Sequence, residues 1–294
     1  MKRRTGWLLA WLLLLGGLGT AAAQEMSEGT KPPKVLVIFR EFLKPGKSGM
    51  THEKTESAFV QAYSRAKWPT HYLAMDSLSG KTRSLFLIGY DSFEAWEKDN
   101  VATQKNAKLA AELDHAGVVD GELLSEADAG AFAFREEYSL NVSSVNIAHM
   151  RYFEVSSYHV RPGHHKDWDD LVKLVTAAYA KIPDTRWATF QTIYGALPGG
   201  TYLVFTPMKS AAEIDRGFAH GKEFMAGLGE EGMKKLGELE AAAIESSQHN
   251  LFMFNPRESY PPEAWVKADP DFWKPKPAKA PAAAPKKSEK PAGQ

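Results

Sequence analysis

One strand-like segment of the chain carries polar residues with chemical potential. Within residues 152–160, Glu154 and Tyr158 alternate with the apolar Phe153 and Val155. Successive side chains of a strand point to opposite faces, so Glu154 and Tyr158 share one face. We expect Phe153 and Val155 to face helices and the two polar residues to point into the interior of a closed sheet, where they could bind a small molecule.

Other residues of the same region complete a candidate pocket. Trp187 and Gln191 share one face of a second predicted strand, although the sequence does not decide whether that face is the inner one. His159 and His249 lie on or beside strands, where an imidazole can act as a general base, ligate haem iron or simply form hydrogen bonds in the core. The predicted set is Glu154, Tyr158, His159, Trp187, Gln191, Tyr202 and His249.

Metal and cofactor signals are sparse along the chain. His164 and His165 precede Asp167, Asp169 and Asp170, but acidic residues are expected at the start of any helix because they complement its dipole. His220, in a later helical stretch, is expected at most to shape the mouth of a pocket. The spacing therefore predicts no metal site and no tightly held cofactor, with haem as the one cofactor kept open.

Whole classes of function are disfavoured by what the sequence lacks. The absence of cysteine excludes disulfides and thiol catalysis. No dinucleotide fingerprint, P-loop, nucleophile elbow or zincin helix is present. With 36 basic and 36 acidic residues the net charge is zero, which gives no sign of a nucleic-acid partner.

The elements that would position the candidate residues occur twice. Pro45-Gly46 and Pro162-Gly163 each follow a strand-like run and precede an amphipathic helix. Each helix leads to two strands joined by a glycine-containing turn, then to helical sequence and a last aromatic strand. The chain therefore predicts an α+β fold of two tandem ferredoxin-like β-α-β-β-α-β modules, residues 34–140 and 141–262. One such module leaves a sheet face uncovered, so the two are expected to pair into a pseudo-dimeric α/β barrel.

This pattern resembles the dimeric α/β-barrel superfamily in its fused form, and especially its NIPSNAP-like branch. The resemblance rests on the strand-Pro-Gly-helix openings at residues 42–47 and 158–164, the glycine turns and the aromatic last strands. It implies a fold more than an activity, since the superfamily includes small monooxygenases and haem-handling enzymes as well as proteins of unknown role.

Both ends of the chain predict segments outside the barrel. Basic residues 2–4, an apolar run over 7–18 and Ala21-Ala22-Ala23 are typical of a signal peptide (1–23), followed by a linker over 24–33. Periplasmic or secreted localisation after cleavage near Ala23 follows, with an uncleaved membrane anchor as the alternative. Residues 263–294 are assigned to a Lys/Pro/Ala-rich disordered tail that solubilises the protein or contacts anionic envelope components.

Two functional classes remain open from the sequence. The first is an exported protein, envelope-associated or binding a small apolar or aromatic molecule, with its pocket in the second module. The alternative is a cofactor-independent or haem-related small-molecule oxygenase. A fused pair of modules fits a monomeric pseudo-dimer, although a homodimer is also compatible.

Overall fold

A computed structural model describes residues 31–274. The predicted signal peptide and the tail beyond residue 274 lie outside these residues. We refer to residues 34–140 as the first half and to residues 141–262 as the second half. The elements of the first half are β1 (Val35–Leu43), α1 (Met50–Ala66), β2 (Tyr72–Ser77), β3 (Arg83–Tyr90), α2 (Phe93–Lys105), α3 (Ala107–Gly121) and β4 (Leu124–Phe134).

The second half repeats this order, and the helical stretch before its last strand is interrupted at Gly229, where the backbone is not helical. Its elements are β5 (Tyr152–Val160), α4 (His165–Tyr179), β6 (Ala188–Gly195), β7 (Thr201–Met208), α5 (Ala212–Ala243) and β8 (Ile244–Phe254). Helices α6 (Glu263–Ala268) and α7 (Pro270–Trp273) follow. The strand predicted over residues 152–160 has the bounds of β5, whereas the last strand of each half begins eight residues before the aromatic segment that predicted it.

The eight strands form one closed barrel in the order β1-β3-β2-β8-β5-β7-β6-β4. Every neighbouring pair is antiparallel. Each half contributes four adjacent strands, and the two joints between the halves are β2 with β8 and β4 with β6. Closure removes the free edges that an open sheet would expose. The mixed α/β architecture with a closed antiparallel barrel is therefore confirmed.

The interior of the barrel is filled by apolar side chains from all eight strands. Phe153 and Val155 belong to this inner core, whereas Tyr158 lies outside it, beside Trp168 of α4. The predicted orientation of β5 is therefore wrong: Glu154 and Tyr158 face the helices, not the interior. An eight-stranded barrel is just wide enough for side chains to fill it, so the most apolar face turns inward. The same rule places Ala188 and Phe190 inside and Trp187 outside.

Residues 263–274 are not the start of a structureless tail. Trp265 and Trp273 of α6 and α7 are each only 3% exposed and belong to the inner core cluster of the barrel. The Trp273 Nε1–H donates to the Ala148 carbonyl at 2.9 Å. Two large aromatic side chains bury enough apolar surface to order this short segment despite its prolines and lysines. No helix among residues 31–274 is long and apolar enough to cross a membrane.

Candidate functional site

A cavity of about 590 Å³ lies in the second half, between the outer face of the sheet and helices α4 and α5. We call it the outer cavity. The sheet contributes Glu154 and Tyr158 to its wall, and the helices contribute Trp168 and His220. A cleft of this size that combines aromatic surface with a few polar groups has the usual form of a small-molecule site.

Four aromatic side chains form one end of the outer cavity. The Trp168 ring stacks on Tyr202 with their centroids 4.8 Å apart, and Tyr138 contacts both rings edge-on. Tyr158 lies 5.7 Å from Trp168. Burial raises the pKa of Tyr138 to about 12 and also raises the pKa of Tyr158 and Tyr202. These phenols stay neutral at physiological pH, and the cluster suits the face or edge of a planar ligand.

A polar group on β5 and β8 adjoins this aromatic end. The Ser156 Oγ lies 2.8 Å from His249 Nδ1 and 3.2 Å from Glu154 Oε1. The same Glu154 oxygen lies 3.8 Å from His249 Nδ1. A Ser-His-acid triad requires the hydroxyl and the acid on different imidazole nitrogens. Because both approach Nδ1 here, the group is not a triad, and it holds the Glu154 carboxylate in the cavity wall.

The other end of the outer cavity carries an ion pair. Arg186 Nη2 lies 2.7 Å from Glu213 Oε2, and the side chains are only 12% and 14% exposed. Arg186 Nε and Trp168 Nε1 are buried and have no hydrogen-bond partner among residues 31–274. Buried donors normally have a partner. Two residues of the cavity wall therefore each carry a buried donor without a partner among the described residues.

The structure separates the seven residues predicted for the pocket. Glu154, Tyr158 and Trp187 line the outer cavity. Tyr202 lies behind Trp168, and His249 is in contact with Ser156.

The two remaining residues of the predicted set have other partners. His159 Nδ1 lies 3.1 Å from Thr201 Oγ1, and its Nε2 lies 3.4 Å from Glu245 Oε2. Gln191 accepts a hydrogen bond from the guanidinium of Arg135. Neither His159 nor Gln191 lines the outer cavity.

Haem is the cofactor that the sequence leaves open, and the outer cavity fits it in one respect. His220 of α5 is the only histidine among the residues that line this space. An axial imidazole and apolar aromatic walls are what a protein supplies to a haem. His220 would be the residue to hold the haem iron, and the haem would supply redox and oxygen chemistry.

A second cavity, of about 360 Å³, lies at one end of the barrel interior. Phe153, Phe190, Phe205 and Trp265 are among its lining residues, and most of its surface is apolar. It offers volume but few groups that could orient or activate a ligand. The outer cavity is therefore the better candidate for chemistry.

Sequence reasoning did not detect a buried polar cluster in the first half. His52 of α1 is 1% exposed and lies among four carboxylates. His52 Nε2 is 3.1 Å from Glu41, 3.6 Å from Asp120 and 4.0 Å from Glu56, while its Nδ1 is 3.2 Å from Glu258. We call these five residues the His52 cluster.

The charges of the His52 cluster are closely coupled. Burial by itself lowers the pKa of His52, but hydrogen bonds with Glu258 and Glu41 outweigh this effect and raise that pKa to about 11. Burial raises the pKa of Glu258 to about 7, and raises the pKa of Glu56 well above its ordinary value. The only local signal in the sequence is the i,i+4 spacing of His52 and Glu56. Spacing along the chain, on which the prediction of no metal site rested, cannot bring the other three residues together.

Comparisons with known proteins bear on the fold. No protein-family model matches the sequence, and no curated protein matches it. A candidate monooxygenase of Fusobacterium nucleatum subsp. nucleatum is similar in structure, with a TM-score of 0.50 and 11% identity, over 76% of this chain and 93% of that one.

Two further solved structures are similar at lower TM-scores. An anthrone oxidase-like protein has a TM-score of 0.49 and 14% identity, over 76% of this chain and 92% of that one. A mutant chlorite dismutase of Candidatus Nitrospira defluvii has a TM-score of 0.46 and 10% identity, over 81% of this chain and 96% of that one. The likeness to the Fusobacterium protein shows that this chain has the dimeric α/β-barrel fold.

Proposed function

We propose that this protein is a small-molecule oxygenase that binds a planar, hydroxylated aromatic substrate in the outer cavity. The observation that carries the proposal is that Trp168, Tyr158 and Tyr138 form an aromatic end of a cavity whose wall also contains the carboxylate of Glu154. Ring surfaces bind a planar molecule, and a carboxylate beside them can accept a proton from its hydroxyl group.

The proposed chemistry needs no tightly held cofactor. Removal of the hydroxyl proton leaves an electron-rich phenolate, and such a substrate can itself supply the electrons that reduce O2. Glu154, beside the polar group on β5 and β8, and His220 of α5 are two of the cavity groups that can accept the proton. The fold is shared with a protein named as a candidate monooxygenase, which makes this reaction class the first to test.

We interpret the two halves as tandem ferredoxin-like modules, of which the second holds the site. The equivalent outer face in the first half carries Val37, which packs beneath α2, where the second half carries Glu154. Export and a NIPSNAP-like affiliation are further parts of the proposal. They are supported by the basic and apolar pattern of residues 2–23 and by the paired Pro-Gly openings.

Native mass spectrometry of the mature protein, set against a denaturing spectrum, is the first experiment. Extra mass in the native spectrum would identify the class of ligand that the cavity retains. Oxygen uptake with a panel of hydroquinones and naphthols then tests turnover. We expect Glu154→Gln to lower kcat at least tenfold, and Glu245→Gln, outside the cavity wall, to leave it unchanged.

The outcome separates oxygenase activity from binding alone. Ligand retention without oxygen uptake would reduce the proposal to a small-molecule-binding protein. Val37→Ala serves as a second control, since it should lower stability without changing substrate affinity. If Glu154→Gln and Val37→Ala cause the same stability loss and leave ligand binding alone, the outer cavity is not the site.

A haem-dependent variant of the proposal is tested separately. Haemin titration with His220→Gln as the comparison would show a Soret shift in the parent protein and a weaker or altered one in the variant. Identical spectra from both proteins would remove His220 as an axial ligand.

A further inference from the structure

We propose that the His52 cluster of the first half is a binding site for a divalent first-row transition-metal ion, with Zn²⁺ and Mn²⁺ as the ions to test. The ligands would be His52 Nε2 and one carboxylate oxygen each from Glu41, Glu56 and Asp120. These four atoms all lie within 4.8 Å of one another. The site is separate from the outer cavity and does not depend on the proposed oxygenase activity.

The distances fit coordination around one small ion. Four ligands about 2.1 Å from a tetrahedral ion lie about 3.4 Å from one another. His52 Nε2 is 3.1, 3.6 and 4.0 Å from the oxygens of Glu41, Asp120 and Glu56. The three oxygens and the nitrogen therefore lie close enough together for one ion to draw them into its coordination shell.

A buried oxygen without a partner points to something that the cluster itself does not provide. Glu56 is 3% exposed, and its Oε1 has no hydrogen-bond partner among the described residues although it faces His52. Leaving a buried carboxylate oxygen unsatisfied costs more than leaving an exposed one unsatisfied. A cation bound between Glu56 and His52 would satisfy it.

The charge of the cluster also calls for a cation. Four carboxylates surround one imidazole, and among residues 31–274 no Lys or Arg forms an ion pair with any of them. Burying like charges together without compensation is strongly unfavourable. A divalent ion would neutralise carboxylate charge that no Lys or Arg neutralises here.

The surroundings of His52 match those of metal-bound imidazoles. Its Nδ1 lies 3.2 Å from Glu258, which is 1% exposed. Histidine ligands commonly donate their second N–H to a carboxylate, which fixes the tautomer and the orientation of the ring. Glu258 therefore positions His52 so that Nε2 points towards the other carboxylates.

The ligand types narrow the choice of ion. Carboxylate oxygens suit Mg²⁺, Ca²⁺ and Mn²⁺, whereas an imidazole nitrogen favours Zn²⁺ and other transition ions. A set of one imidazole and three carboxylates is therefore suited to Zn²⁺ or Mn²⁺. Glu41, whose side chain is 18% exposed while the other three are at most 4% exposed, marks the side from which an ion would enter.

The test uses the full mature chain, untagged and treated with EDTA. Calorimetric titration with Zn²⁺ and electron paramagnetic resonance titration with Mn²⁺ would measure affinity and stoichiometry. We expect one ion per chain and a higher melting temperature in the metal-bound protein. Failure of the wild-type protein to bind either ion at this stoichiometry would overturn the proposal.

Matched variants locate the site. Glu56→Gln and Asp120→Asn keep the side-chain shape, and each should weaken binding at least tenfold and reduce the metal-induced rise in melting temperature. Glu53→Gln is the control, because Glu53 lies on the same helix but pairs with Arg257 instead. Equal metal affinities in the wild type and in all three variants would show that the ion binds elsewhere. Circular dichroism confirms that each variant is folded before it is titrated.

Discussion

His52 and Trp168 lie at equivalent positions in the two halves of the chain. Each is in the first turn of the helix that follows a Pro-Gly pair, and each contacts a residue that follows the last strand of the opposite half. The contact of His52 is with Glu258, and that of Trp168 is with Tyr138. The same position thus holds a polar cluster in one half and an aromatic cluster in the other.

Trp273 anchors the C-terminal helices to the barrel. Its side chain is 3% exposed and packs against Trp265 and Phe254. We expect Trp273→Ala to lower the free energy of unfolding by about 3–5 kcal/mol, because it removes a large buried aromatic ring. Urea denaturation, monitored by circular dichroism, measures the free energy of unfolding. A loss below 1 kcal/mol, similar to that of the exposed control Lys267→Ala, would contradict the anchoring role.

Gly195 makes a close backbone approach at the joint between β4 and β6. Its φ is +69°, and an added Cβ would lie 2.3 Å from the Ala129 carbonyl oxygen. Gly195→Ala should therefore lower the free energy of unfolding by more than about 1 kcal/mol. Gly199→Ala is the matched control, since nothing lies within 4 Å of its added Cβ. Equal thermal stability of the two variants would be inconsistent with strain at Gly195.

Glu213 connects the start of α5 to the residue after β7 and to the loop before β6. One of its oxygens accepts the Lys209 N–H at 2.9 Å, and the other pairs with Arg186 at 2.7 Å. Loss of both contacts in Glu213→Ala should cost about 2–3 kcal/mol, since hydrogen bonds to charged groups are among the stronger ones. Glu213→Gln should cost less, because its one amide oxygen can still accept one of the two hydrogen bonds. Chemical denaturation measures the free energy of unfolding of both variants. A larger loss in Glu213→Gln than in Glu213→Ala would contradict this account.

His71 gives the first half a defined response to acid. Burial lowers the pKa of His71 below its ordinary value of 6.5, and its ring lies 4.6 Å from that of Tyr260. Because the folded pKa is depressed, the unfolded chain takes up the proton first as pH falls. The stability that His71 contributes is present above pH 6.5 and is lost as pH falls through its lower folded pKa.

The measurement for His71 compares wild type with His71→Gln at pH 7.5 and pH 5. The melting temperature of the wild type, relative to that of the variant, should be lower at pH 5 than at pH 7.5. An unchanged difference at the two pH values would show that His71 titrates alike in the folded and unfolded chains.

Much of the architecture could be predicted because its signals lie in residues that are close together in the sequence. The Pro-Gly pairs, the glycine turns and the helical spacing of apolar residues each depend on neighbouring positions, so they predict the order of strands and helices, although not where β4 and β8 begin. The residues near β5 do not determine which face of this strand points into the barrel. Phe153 and Val155 could cover either helices or a barrel interior, and only closure of the barrel decides between them.

The candidate sites were predictable only in part for the same reason. Glu154, Tyr158 and Trp187 come from two strands whose pattern was visible in the sequence, and they line one cavity. The His52 cluster draws on β1, α1, α3 and the segment after β8, and Glu258 is 206 positions from His52. Pairing between such distant residues depends on how the halves join, which spacing along the chain does not reveal.

The exchange of contacts across the halves has a consequence for how the chain could have diverged. Tyr138 of the first half completes the aromatic cluster of the second, and Glu258 of the second completes the polar cluster of the first. Neither half, expressed alone, would contain an intact version of either cluster. A single chain therefore keeps two chemically different clusters in one-to-one stoichiometry, while each can accumulate substitutions that two identical subunits would have to share.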